Sequence, residues 1–279
     1  MIKIIALIIL TSCSLSQINR QTNFEKDLFN DETLLRFNSV AIKQLSESQD
    51  IKLSSLAQCH QGQSKEGLKK LQSHYAKFKT DPFYWNIVGT CYYLGEQMPK
   101  ASFYFQHALN LSKRSKARAY TFNNLGVILL KQRHYDQAFE MFSKSMKINK
   151  SLVTPKFNLA QLHIQFGQIQ EASRLLNELL EREPEDIDVL TSLAVIAMID
   201  EDYKKAISIY EKFEDEQLQR ADIAGYFALS LYKDGQYNRA KEVLEEQNVS
   251  TEEAFFKLNR ELSKKIKVAI KNKEQQDKL

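Results

Sequence analysis

Five histidines and three cysteines are the side chains of this 279-residue chain best suited to metal, redox or nucleophilic chemistry. The histidines, His60, His74, His107, His134 and His163, stand apart, with no His-x-x-x-His or Cys-x-x-Cys pair of the kind that holds a metal ion. No phosphate-binding glycine loop, dinucleotide fingerprint or G-x-S-x-G elbow occurs, and the carboxylates recur at surface spacings on helices. These residues predict no enzyme, no cofactor and no metal. What remains is the thiol of Cys13, close behind an apolar run, and whatever surface the rest of the chain builds.

That surface depends on a repeat. An apolar content of 43%, with eight glycines and four prolines, gives a large core and short loops, which excludes disorder, collagen and a disulfide scaffold. The net charge of +4 does not mark a nucleic-acid binder. Gly126, Ala160, Ala194 and Ala228 follow one another at intervals of 34, while Gly89 precedes Gly126 by 37. Taking these as position 8 starts repeats at 48, 82, 119, 153, 187 and 221, and position 20 becomes Gly67, Ala101, Ala138, Ala172, Ala206 and Ala240. Small residues at both positions let two helices cross closely.

The pattern resembles the tetratricopeptide repeat, a 34-residue helix-turn-helix unit. Repeat two carries it in Trp85, Val88, Gly89, Tyr92, Ala101, Phe105 and Ala108, and repeat three in Phe122, Leu125, Gly126, Leu129, Tyr135, Ala138 and Phe142. The resemblance implies an all-α fold, a right-handed superhelix (α-solenoid) of six repeats over residues 48–254. A capping helix over 250–275 opens with the box Ser250-Thr251-Glu252-Glu253 and aligns Phe255, Leu258, Leu262, Ile266 and Ala269. Its expected job is to cover the last repeat, although its basic outer face, with Lys257, Arg260 and Lys264, also suits anionic lipid. Residues 24–47 read as leading helices.

In this family the first helices line a concave groove that binds proteins or extended peptides. The resemblance assigns to it Phe83, Asn86 and Tyr93 of repeat two, Tyr120, Asn123, Asn124 and Lys131 of repeat three, and Phe157, Asn158 and Gln161 of repeat four. Asn124 and Asn158, 34 residues apart, are similar to an asparagine ladder that bonds a peptide backbone. Cys59 and Cys91 fall on adjacent first helices, where two free buried thiols are expected, a bridge being the alternative if the Cα atoms come within about 4.4–6.8 Å.

At the N-terminus, Lys3, the apolar run Ile4–Leu10 and the small Thr11 and Ser12 have a signal-peptide layout, and seven apolar residues are too few to span a bilayer, which takes about 20. Leu10-Thr11-Ser12-Cys13 resembles the lipobox of bacterial lipoproteins. That resemblance implies removal of residues 1–12, acylation of Cys13 including palmitate, a polar tether over 13–23, and, from Ser14, a place on the periplasmic face of the outer membrane. Residues 100–150 carry ten basic against two acidic side chains, a field able to orient an acidic partner. The whole is similar to the type IV pilus pilotins, lipoproteins that escort an outer-membrane secretin. The function implied is a lipid-anchored periplasmic scaffold with a protein or peptide partner and no nucleic acid. An adaptor for cell-wall hydrolases is the alternative, and an enzyme with a groove active site a remote one.

Overall fold

A computed structural model describes residues 43, 45–113, 116–247 and 253–276. Cys13, the tether, the leading helices before residue 43 and the cap residues Ser250, Thr251 and Glu252 lie outside the described residues. Among the described residues there are fifteen helices and no strand. None of these helices is long and apolar enough to cross a membrane. They divide into two compact units at Leu162 and His163.

The first unit holds α1 (Ile51–His60), α2 (Ser64–Ser73), α3 (Tyr75–Phe78), α4 (Pro82–Leu94), α5 (Met98–Leu111), α6 (Lys116–Lys131), α7 (Tyr135–Ile148) and most of α8 (Val153–Gln165). The second holds α9 (Ile169–Leu180), α10 (Ile187–Ile199), α11 (Tyr203–Tyr210), α12 (Asp215–Leu218), α13 (Ala221–Lys233), α14 (Tyr237–Glu246) and α15 (Glu253–Gln276). Aspartates start several of them. Asp50 accepts from Lys52 N, Asp81 from Phe83 N with Pro82 in the first turn, and Asp186 from both Asp188 N and Val189 N. Each satisfies backbone donors that have no partner within the helix.

The turn between the two helices of a repeat is the same in all six copies. Position 15, held by Gly62, Glu96, Arg133, Gly167, Glu201 and Gly235, has a positive φ of 59–83° every time. There the backbone closes on itself: in the fourth copy Gly167 N donates to Ile164 O and Gln168 N to His163 O, a Schellman ending. The side chain is secondary to those bonds, since Glu, Arg and Gly all occupy the place.

The crossings show why position 8 is small. A Cβ on Gly89 would stand 2.6 Å from the Phe105 ring, and one on Gly126 would stand 2.6 Å from the Phe142 ring. Both rings are fully buried, so the glycine is the seat of the aromatic side chain of its own partner helix. The 37-residue interval between Gly89 and Gly126 is accommodated at the start of α6, which has 16 residues where α4, α8, α10 and α13 have 13. Periodicity gave no sign of α3 or α12. The latter follows the eight-residue α11, where the buried Tyr210 holds Phe213 edge-on at 5.7 Å and draws the chain inward.

In the first unit the structure corrects the expectation of two free thiols: Cys59 and Cys91 form a disulfide, their Cα atoms 5.2 Å apart. Position 20 of this repeat is Gly67 rather than alanine, and the space that a Cβ would take there is occupied by Cys59 Sγ. In the second unit the fixed point is ionic. Arg220, 3% exposed, meets both oxygens of Asp222 at 2.7 and 3.2 Å and Asp188 at 3.4 Å, tying the start of α13 to that of α10. Burial opposes its charge, but the two carboxylates more than offset this and raise its pKa.

The last helix, α15, covers α13 and α14 with Phe255, Asn259, Leu262 and Ile266, each at most 5% exposed. Asn259 Nδ2 donates to Ala221 O at 2.9 Å, and the asparagine lies over Gly225, where any Cβ would collide with it.

Two measurements test this account. Gly126→Ala drives a methyl into the fixed Phe142 ring and should lower stability by about 1–3 kcal/mol. Gly167→Ala, with nothing within 4 Å of its new Cβ, should lose only about 1 kcal/mol for its positive φ. Adding Phe142→Leu should recover part of the first loss and none of the second in urea titrations. Reducing the Cys59–Cys91 bridge, which closes a loop with a separation of 32 residues, should lower stability by about 4 kcal/mol. An unchanged urea midpoint would show that the bridge does not constrain the unfolded chain.

Candidate binding surface of the first helices

The ten residues assigned to partner binding sit on three first helices of the first unit, α4, α6 and α8. Four of them come together as one chain of amides. Asn124 Nδ2 donates to Asn86 Oδ1 at 3.2 Å, Asn123 Nδ2 to Asn124 Oδ1 at 3.2 Å, and Asn158 Nδ2 to Asn123 Oδ1 at 3.0 Å. Position 5 of one repeat thus bonds to position 6 of the next, twice, and the Asn123–Asn124 bond joins the two links within repeat three. Asn158 pairs with Asn123, not with Asn124, because an amide reaching back from the next helix meets the residue one position earlier in its own repeat. Thr121 Oγ1 lies 3.3 Å from Asn86 Oδ1 and 2.7 Å from Ala117 O, and its single proton is shared between these two acceptors. Sequence reasoning missed Thr121, although it stands at position 3 beside the Asn123-Asn124 pair.

These asparagines are interior. Asn86, Asn123 and Asn124 are 0% exposed and Asn158 is 1% exposed. Buried amides are stabilising when they satisfy one another and costly otherwise. One acceptor is left over: Asn158 Oδ1 has no hydrogen-bond partner.

Around the amides the aromatic members pair off. Phe83 and Tyr120, both at position 2 of their repeats, meet edge to face at 5.5 Å. The Lys131 ammonium lies 4.7 Å from the centre of the Tyr93 ring, and burial pushes the Tyr93 hydroxyl pKa up. Phe157 and Gln161 are buried. Of the ten, Lys131 is exposed and Phe83 half-buried, so these two are the ones a partner reaches directly.

The histidines do not converge. His60 is buried, which lowers its pKa to about 3 and keeps it neutral, His107 stands edge-on to Trp85 at 4.6 Å, and His163 bonds Gln168 at 2.5 Å. Among the described residues no group of three or more histidine, cysteine or carboxylate side chains could hold a metal ion. Chemically the reachable part of this set offers one ring, on Phe83, and one cation, on Lys131.

Asn124→Ala removes the acceptor of Asn123 as well as a donor to Asn86, so a buried amide loses its bond. Stability should fall by about 1–3 kcal/mol, more than for an exposed asparagine. A variant melting with the wild type would show that the amide chain does not support the fold.

Residues 116–224 match the family model of the cytochrome c-type biogenesis protein H TPR domain. Among solved structures, the Cut9–Hcn1 hetero-tetramer of the APC/C aligns with a TM-score of 0.65 at 15% identity, over 84% of this chain and 46% of that one, so the chain spans about half of that relative's length. PilW, described as a widely conserved type IV pilus biogenesis factor, gives 0.61 at 16% identity over 74% and 94%. PilF of Pseudomonas aeruginosa gives 0.60 at 14% identity over 73% and 90%. A search of curated protein sequences finds no match. At such identities the likeness concerns the fold, and with the six-fold register of crossings and turns it makes this a chain of tetratricopeptide-repeat fold.

Proposed function

We propose that the chain is a lipid-anchored periplasmic scaffold that binds a protein, or an extended segment of one, during assembly of an envelope machine, with the type IV pilus secretin as the leading instance. The observation that carries this reading is the Cys59–Cys91 disulfide. Disulfides form and persist in oxidising compartments such as the periplasm and are rare in the reducing cytosol. Leu10-Thr11-Ser12-Cys13, behind its apolar run, supplies an export and acylation signal suited to the same compartment. Repeat folds of this type work by presenting a surface. PilW, described as a pilus biogenesis factor, and PilF share this fold, which makes partners of pilus assembly the first to test.

Recognition would use the reachable members of the first-helix set, Phe83 and Lys131, held from below by the amide chain. The basic stretch over residues 100–150 would bring an acidic segment toward them. Affinity capture of the acylated protein from envelope extracts, read by mass spectrometry, tests this. Lys131→Glu should reduce recovery of the partner about tenfold, with helicity unchanged and stability lowered by no more than the about 0.5–1 kcal/mol of its contact with Tyr93. Undiminished recovery would move the binding surface elsewhere. Cys13→Ala should shift the protein from the membrane to the soluble fraction, and unchanged partitioning would overturn the anchor.

A further inference from the structure

The outer face of α15 carries a row of cations. Phe255, Asn259, Leu262 and Ile266 turn one side of this 24-residue helix into the second unit. At 100° per residue, Lys257, Arg260, Lys264, Lys267 and Lys271 all fall within an arc of about 80° on the opposite side, along about 21 Å of helix. All five are exposed, and none makes an ion pair among the described residues. Two apolar side chains flank the stripe, Phe256 at 50% and Val268 at 58% exposure. Of the three acidic residues on the helix, Glu253 opens it one turn before Lys257, Glu261 borders the stripe and Glu274 follows its end.

A cap needs polar residues on its outer side, but it does not need one sign of charge. Cover alone would be met by alternating Glu and Lys at spacings of four, which also support a helix through side-chain pairs. Here that alternation runs along one edge only, through Glu253, Lys257, Glu261 and Lys265, while Arg260, Lys264, Lys267 and Lys271 continue at spacings of three and four with cations alone. We infer that this face is an electrostatic docking surface for an anionic phospholipid bilayer. The occupant is argued from charge complementarity and shape. Five cations on one side of a continuous helix meet a flat field of negative headgroups together, whereas a protein segment would have to present acids at matching spacings. Phe256 and Val268, on either side of the line, enter the interfacial layer when the helix lies on it. The surface does not depend on an acyl chain at Cys13.

The test uses the full chain carrying Cys13→Ser, so that acylation contributes nothing, in sedimentation with two kinds of vesicle, phosphatidylcholine alone and phosphatidylcholine with phosphatidylglycerol. The protein should bind the second about tenfold or more tightly than the first, and added salt should release it. Lys257→Glu, Lys264→Glu and Lys271→Glu together should abolish the preference, while the three corresponding Lys→Arg changes should keep it, with helicity the same in all. Equal binding to both vesicles, or a preference that survives charge reversal, overturns the inference. So does binding to poly-glutamate without binding to vesicles, which would assign the stripe to an acidic protein segment. If acylation at Cys13 fails in cells while the purified protein still selects anionic vesicles, the anchor is wrong and this surface stands.

Discussion

A phenylalanine ring resting on a residue with no Cβ sets the geometry on which the rest of the first unit depends. Phe105 on Gly89 and Phe142 on Gly126 fix how near the two helices of a repeat come. That nearness buries the alanines at position 20 completely and makes the turn between the helices as short as a chain allows. A short turn must reverse direction within a few residues, so position 15 goes to the left-handed region whatever side chain it carries. Core, turn and register are three expressions of one contact distance.

The polar interior follows from the same closeness. First helices that stand near their neighbours leave no room for water between them, so polar side chains there must satisfy one another. The Asn86–Asn124–Asn123–Asn158 series does so through side chains of one length and one chemistry, with one acceptor to spare on Asn158. Arg220 with Asp188 and Asp222 answers the same need in the second unit by charge. Both devices link helices that the apolar contacts alone would leave free to slide, since apolar packing has little directional preference.

The helical architecture was legible because it rests on residue size, and size is written in the sequence. Gly126, Ala160 and Ala194 announce a crossing whatever surrounds them. The asparagines were legible as a group but not in their pairing, since a 34-residue interval suggested Asn124 with Asn158 while the bond runs to Asn123. Interval counts whole repeats, and a side chain one residue away differs by 100° in direction. Their burial was hidden for a related reason: a family's groove positions say which way a residue faces, not how closely the next helix follows. The disulfide was illegible because a few ångströms between Cα atoms decide it, and repeat positions 12 and 10 do not resolve such a distance. Nothing periodic marks α12, which exists because Tyr210 and Phe213 share a core.

The bridge between Cys59 and Cys91 also gives the first unit a mechanical grain. A pull entering from the N-terminal side passes along α1 to Cys59 and then crosses the sulfur–sulfur bond to Cys91, leaving the intervening segment out of the line of force. Those residues, which would otherwise pay out about 110 Å of slack, stay unloaded while the bond is intact. The load arrives instead at Cys91 in α4, beyond Asn86 and Gly89, so the aromatic seat at Gly89 and the first link of the amide chain are shielded together with the second helix of the first repeat.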